Sequence, residues 1–117
     1  TSSIADAASA DITIPAARGL LLLKIATSVA ARVILYTDVA SRTADAGRAE
    51  GTSADANSGV IAEVVTTNLD LSTSLAPGIV GWNDEVPAAP EIYANVTNKS
   101  GAESVVTVTI TYVPVEN

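Results

Sequence analysis

The chain has no cysteine, no histidine, no methionine and no phenylalanine, and its 3% aromatic content is one tryptophan and three tyrosines. Each absence excludes a class of chemistry. Without cysteine there is no disulfide framework, no thiolate metal site and no thiolate nucleophile. Without histidine the chain lacks the side chain that most often moves protons near neutral pH. Positive charge is also scarce: six bases stand against 13 acids, a net charge of −7. Nucleic-acid binding needs a basic footprint to neutralise phosphates, and an anionic membrane surface makes the same demand, so neither partner is expected. The longest uninterrupted aliphatic run is residues 20–23, far short of the ~20 residues that span a bilayer. No basic segment precedes an apolar one, so no signal peptide is read, and the start at Thr1 is compatible with prior removal of an initiator methionine or a leader. The residues point away from an enzyme and from any cofactor.

What remains is rich in Ala, Val, Ile and Thr. The 117 residues suit one domain. Residues 1–15 are small and polar apart from Ile4, Ile12 and Ile14, and read as an N-terminal arm ordered by a neighbour. Within it, residues 12–14 alternate as a short edge strand that stops at Pro15. The domain proper is expected over 16–117. Residues 20–27 and 31–37 read as strands, and the second has two apolar faces, as a central strand covered on both sides would. Asp38 caps a short helix that Gly47 ends at C′, with Arg42 and Asp45 spaced to pair on its exposed side. A loop rich in glycine and small polar residues fills 48–59.

Residues 60–67 are β-branched and read as a strand, with Glu63 near an edge. Residues 68–75 alternate, 76–78 (Ala-Pro-Gly) read as a turn, and 79–80 form a short strand ending at Trp82. Residues 91–98 set Ile92, Ala94 and Val96 inward. Residues 98–101 read as a hairpin turn leading to the last strand, 104–113. There Val106, Val108, Ile110 and Tyr112 share one face, and Thr107, Thr109 and Thr111 the other. About eight strands with turn signals every ten residues or so predict an all-β, antiparallel, jelly-roll-like sandwich.

Candidate chemistry is thin. Asp84 and Glu85 could act as a carboxylate pair, but neighbours on a loop point apart. Asp45, Glu50, Asp55 and Asn57 offer oxygen ligands, yet the offsets of a calcium loop are absent and no metal is expected. Asn95 and Asn98 each begin an N-glycosylation triplet; strand alternation and the turn account for them equally well. Trp82 is either an interface anchor or a plug for the open end of the sandwich.

Residues 31–37 (ARVILYT), 42–48 (RTADAGR), 59–67 (GVIAEVVTT), 74–82 (SLAPGIVGW) and 92–98 (IYANVTN) together resemble a type of small β-sandwich protein coded in tailed-phage virion gene clusters. The resemblance implies a virion structural component rather than an enzyme. By size, acidity and N-terminal arm the chain is similar to head decoration (cement) proteins, which often sit as trimers on the shell. On that reading the partner is the major capsid protein and the location is the capsid surface, with a homotrimer as the assembly. A tail, baseplate or fibre-attachment module is the alternative, and a cell-surface carbohydrate-binding sandwich is the rival from another class, which the scarcity of aromatic rings disfavours. The expected contact residues are Ile4, Ile12, Ile14, Trp82, Thr107, Thr109 and Thr111.

Overall fold

The computed structural model describes residues 3–55 and 58–116; Thr1, Ser2, Ala56, Asn57 and Asn117 lie outside the described residues. In chain order the elements are β1 (Ser3–Ile4), β2 (Ser9–Pro15), β3 (Gly19–Thr27), β4 (Ala31–Tyr36), α1 (Val39–Ala44), β5 (Val60–Val65), β6 (Ser72–Trp82), β7 (Glu91–Asn98), β8 (Ser104–Val105) and β9 (Val108–Glu116). They pair as a four-stranded sheet β2-β7-β4-β5, a three-stranded sheet β6-β3-β9 and a small β1-β8 sheet. Every named pairing is antiparallel. The all-β sandwich expected from alternation is the fold.

The core lies between the two larger sheets because period-two alternation sends one face of each strand inward. β3 contributes Leu20, Leu22 and Ile25, and Val33, Leu35, Ala62, Val64, Ile92, Ala94 and Val96 come from the opposite sheet. β4 is buried along its whole length. Its second apolar face, Ile34 and Tyr36, joins Tyr93 in a separate cluster on the outer side of the four-stranded sheet. Arg42 of α1 reaches over this cluster. Its guanidinium carbon stands 5.6 Å from the Tyr93 ring centre, and Nη1 donates to the Ile12 carbonyl at 3.0 Å.

Several local expectations are corrected. The arm is part of the sandwich over residues 3–15: β2 pairs with β7 along seven residues, and Ile4 is buried in the core. Asn98 explains this, since its fully buried amide donates to the carbonyls of Ile4 and Ala102, both at 2.8 Å. The alternation at 68–75 breaks in its first half. Thr67 and Asp70 exchange backbone hydrogen bonds around a turn, and Leu69 is fully exposed. Ala76, Pro77 and Gly78 do not end a strand either. β6 runs through them as an irregularity opposite Leu23, tolerated because β6 is an edge strand that can spare a ladder bond. The turn at 98–101 makes no hairpin, because β7 and β9 belong to different sheets. Finally, Arg42 and Asp45 do not pair with each other. Arg42 lies 3.6 Å from Asp11, and Asp45 pairs with Arg48 at 2.8 Å.

Asp38 caps α1 as expected, accepting from Ser41 N–H at 2.7 Å, while the C-cap falls on Asp45, two residues before Gly47. Gly59 must lack a side chain. Its φ is +81°, and a Cβ there would stand 2.1 Å from Ser41 Oγ, so helix and sheet touch at this glycine.

Candidate functional site

The expected contact residues separate into two groups. Ile4 is 7% exposed, and Ile12 and Ile14 pack half-buried against the core, so these three are internal in the folded chain. Their polar neighbours had made them look like an arm; the seven-residue pairing of β2 supplies the burial that sequence context concealed. Trp82, Thr109 and Thr111 do come together, on the outer face of the three-stranded sheet, and Thr107 is exposed just before β9 begins.

That face is built row by row. Trp82 of β6 lies opposite Gly19 of β3; Val80 and Val113 flank Leu21; Ser74 and Thr111 flank Lys24; Ser72 and Thr109 flank Ala26. Val115 and Glu116 close the upper row, within 3.2 and 3.3 Å of where a Gly19 Cβ would be. Gly78 makes the surface possible, because a Cβ there would meet Leu21 Cδ1 at 3.0 Å and Leu23 Cδ2 at 3.1 Å; without it both leucines lie across β6. Trp82 is 51% exposed, so it plugs no opening. Val80, Val113 and Val115 are exposed beside it. One end of the face is therefore apolar and the other hydroxyl-rich. Lys24, exposed between the two ends, has no carboxylate within ion-pair distance among the described residues. Arg32, Arg42, Arg48 and Lys99 each have one. Leu21, Val80, Val113 and Val115 were missed in the sequence, although the unbroken run at 20–23 carried a signal: a strand with leucine on both faces has a second surface to satisfy.

The acids do not assemble. Glu85 turns away from Asp84 and accepts from the Val39 N–H at 3.0 Å, at the start of α1. Asp45 and Glu50 are held by Arg48 and Lys99, and Asn57 lies outside the described residues. Among the described residues no group of three or more acids could hold a metal ion. Asn98 is sealed inside the fold, which leaves no room for a glycan there, whereas Asn95 is half-buried and donates to Asp11 at 2.9 Å.

The most perturbed titrating groups sit on the other sheet. Arg32 contacts Glu63 at 2.7 Å, Glu63 contacts Arg48 at 2.7 Å, and Tyr36 Oη donates to Asp45 at 2.6 Å. Burial pushes the Tyr36 hydroxyl well above its ordinary value, and the Asp45 carboxylate adds to that. Burial by itself would raise Asp45; the hydrogen bonds from Arg48 and Tyr36, with the charges of Arg48 and Arg32, hold it below its ordinary value. The Asp45 bond, followed by the Glu63 bond and both charges, raises Arg48 despite its desolvation. Every charge in this network has a partner within the chain. It holds the loop after α1 to the sheet, and its perturbed groups serve structure.

No protein-family model matches the chain, and no curated protein matches it in sequence. No helix among the described residues is long and apolar enough to cross a membrane.

Proposed function

We propose that this chain is a structural component of a tailed-phage virion, a decoration protein that docks on major capsid subunits and stabilises the shell. The observation that carries this reading is the uncovered face of the three-stranded sheet. It is an apolar and hydroxyl-rich surface centred on Leu21 and Lys24, with a half-exposed tryptophan at one end that, together with Val80, borders a cavity beside Ala54, Asp55 and Ser58. Tryptophan is enriched where interfaces hold their binding energy, and an exposed apolar patch of this kind marks an interaction site. The resemblance of the strand and turn segments to small virion sandwiches supplies the partner. Quantitative mass spectrometry of purified particles tests the proposal. A copy number on the scale of the shell subunit is expected, a few copies would move the protein to the tail or baseplate, and absence from the particle would overturn a virion role. Trp82→Glu is expected to lower binding to shells stripped of the protein while leaving the fold intact.

A further inference from the structure

The three-stranded sheet has a second unpartnered feature besides its face. Among the described residues β9 is bonded on one side only, to β3, and no strand pairs with its other edge. Free edges invite pairing with another strand, and proteins blunt them with charge, proline or bulges. Three of the four edges of the two larger sheets are blunted here. β2 carries Asp11; β5 carries Glu63 and a register break opposite Leu35 and Tyr36; β6 carries Pro77 in mid-strand and the irregularity opposite Leu23. β9 has no charged residue before Glu116; Pro114 and one register break come near its end, and the second break, between Thr111 and Tyr112, comes from the extra residue Leu23 on β3 and inserts none into β9. The stretch from Val106 to Val113 is β-branched or aromatic throughout, without charge, proline or glycine, which is the composition of a strongly self-pairing strand.

We infer that the occupant of this edge is β9 of a second copy, paired antiparallel about a two-fold axis perpendicular to the sheet. The strand is complementary to itself. Centring the pairing on Ile110 uses the longest symmetric part of the strand that stops short of Pro114, with Val108 opposite the copy's Tyr112 and Thr109 opposite its Thr111. Val108, Ile110 and Tyr112, half-buried against one core, then extend into the next. On the outer side threonine faces threonine, a favourable cross-strand pair. The seam brings together no charges, so the net −7 of each chain acts only at a distance and is screened by salt. An isologous pairing of this kind gives a dimer in place of the three-fold assembly that the resemblance implies, and it joins two three-stranded sheets into one of six. It does not depend on the virion reading, since it concerns the free protein.

Light scattering and sedimentation on the full chain test it, together with a charge swap. The wild type is expected at twice the monomer mass, tightening from low to high salt. The double substitution Thr109→Glu and Thr111→Glu places two like-charged pairs across the seam and is expected to weaken association about 100-fold. Thr109→Lys with Thr111→Glu makes both pairs opposite in sign and is expected to restore the dimer. All four side chains project to solvent, and circular dichroism verifies folding. Hydrogen exchange on the wild type adds a readout that needs no variant: β9 amides are expected to gain protection as protein concentration rises. A wild-type monomer, a trimer, a dimer indifferent to the two glutamates, or β9 protection independent of concentration would each overturn the inference.

Discussion

The two sheets of the sandwich treat their outer faces in opposite ways. The four-stranded sheet turns Arg32, Ile34, Tyr36 and Tyr93 outward, then covers them with α1 and the loop that follows it. The three-stranded sheet turns Leu21, Val80, Trp82 and Val113 outward and leaves them open. The first face needs its cover because it holds charge. Arg32 is 9% exposed, and its guanidinium donates through Nε to Glu63 and through Nη1 to the Arg48 carbonyl, which only the loop can bring. The second face holds Lys24 between its ends and Glu116 at its upper end, both exposed, and water can solvate them where they stand. Folding is complete on the first face and leaves something unpartnered on the second, so stability is expected to concentrate on one side and recognition on the other.

The most severe way to break that contrast is Arg32→Ala. It leaves Glu63 without one of its two arginine partners and the Arg48 carbonyl without its donor. Breaking a buried ion pair from one side costs about 3–5 kcal/mol, a large share of the ~5–15 kcal/mol that holds a domain of this kind together. Urea denaturation is expected to show that loss, and an unchanged midpoint would mean the network is not what fastens the cover.

Asn98→Ala comes next. The substitution deletes two donated hydrogen bonds and the acceptor for Ser100 N–H, stranding buried backbone groups at a cost of about 2–3 kcal/mol. Hydrogen exchange is expected to rise first in residues 3–8, the segment that this side chain ties down.

Asn98 also measures what could be read from sequence. Alternation was sufficient for the sandwich, for the inward set Ile92, Ala94 and Val96, and for the threonine face of β9, because each depends only on neighbours along one strand. The path of residues 3–15 depends on an amide 94 residues from Ile4, and no local pattern announces that. The same holds for Arg32, Glu63, Arg48 and Asp45. In sequence Asp45 pointed to Arg42 and nothing linked the other three to it; only the bulged pairing of β4 with β5 and the fold-back of the loop bring them together. Half of the open face was legible, through Trp82 and the threonines. Its leucine and valine half was hidden because an outward apolar residue looks the same in sequence as an inward one.

Acid provides a gentler test of the covered face. Asp45 titrates below its ordinary value of 3.8 in the folded protein, so its contribution is complete above that value and is lost as pH falls through the folded one. Stability from this source is therefore expected to hold from neutral pH down to about pH 4 and to decline below it, in step with loosening of the loop after α1. Tyr36→Phe removes one of the hydrogen bonds that hold Asp45 down. It is expected to cost about 1.5 kcal/mol at neutral pH, as for a bond to a charged group, and to make the acid decline shallower. Urea midpoints of both proteins at neutral and acid pH check this, and parallel declines would remove Asp45 from the account.

The smallest expected effect on stability falls on the open face. Val80 and Val113 are 63% and 47% exposed, and they flank Leu21 from opposite strands. Replacing both with threonine keeps the β-branched shape and its strand preference, and water can satisfy the new hydroxyls, so the double variant is expected to melt within about 0.5 kcal/mol of the wild type. Binding responds differently, because two methyl groups that a partner would have dried are exchanged for hydroxyls that must then be desolvated. At roughly 1 kcal/mol for each hydroxyl, shell binding measured by co-sedimentation is expected to fall at least tenfold. If the double variant instead lost as much stability as Asn98→Ala, the face would already be covered in the free protein, and the contrast between the two sheets would disappear. If stability and shell binding both stayed unchanged, the face would be bare without being a docking surface, and recognition would have to lie elsewhere on the sandwich.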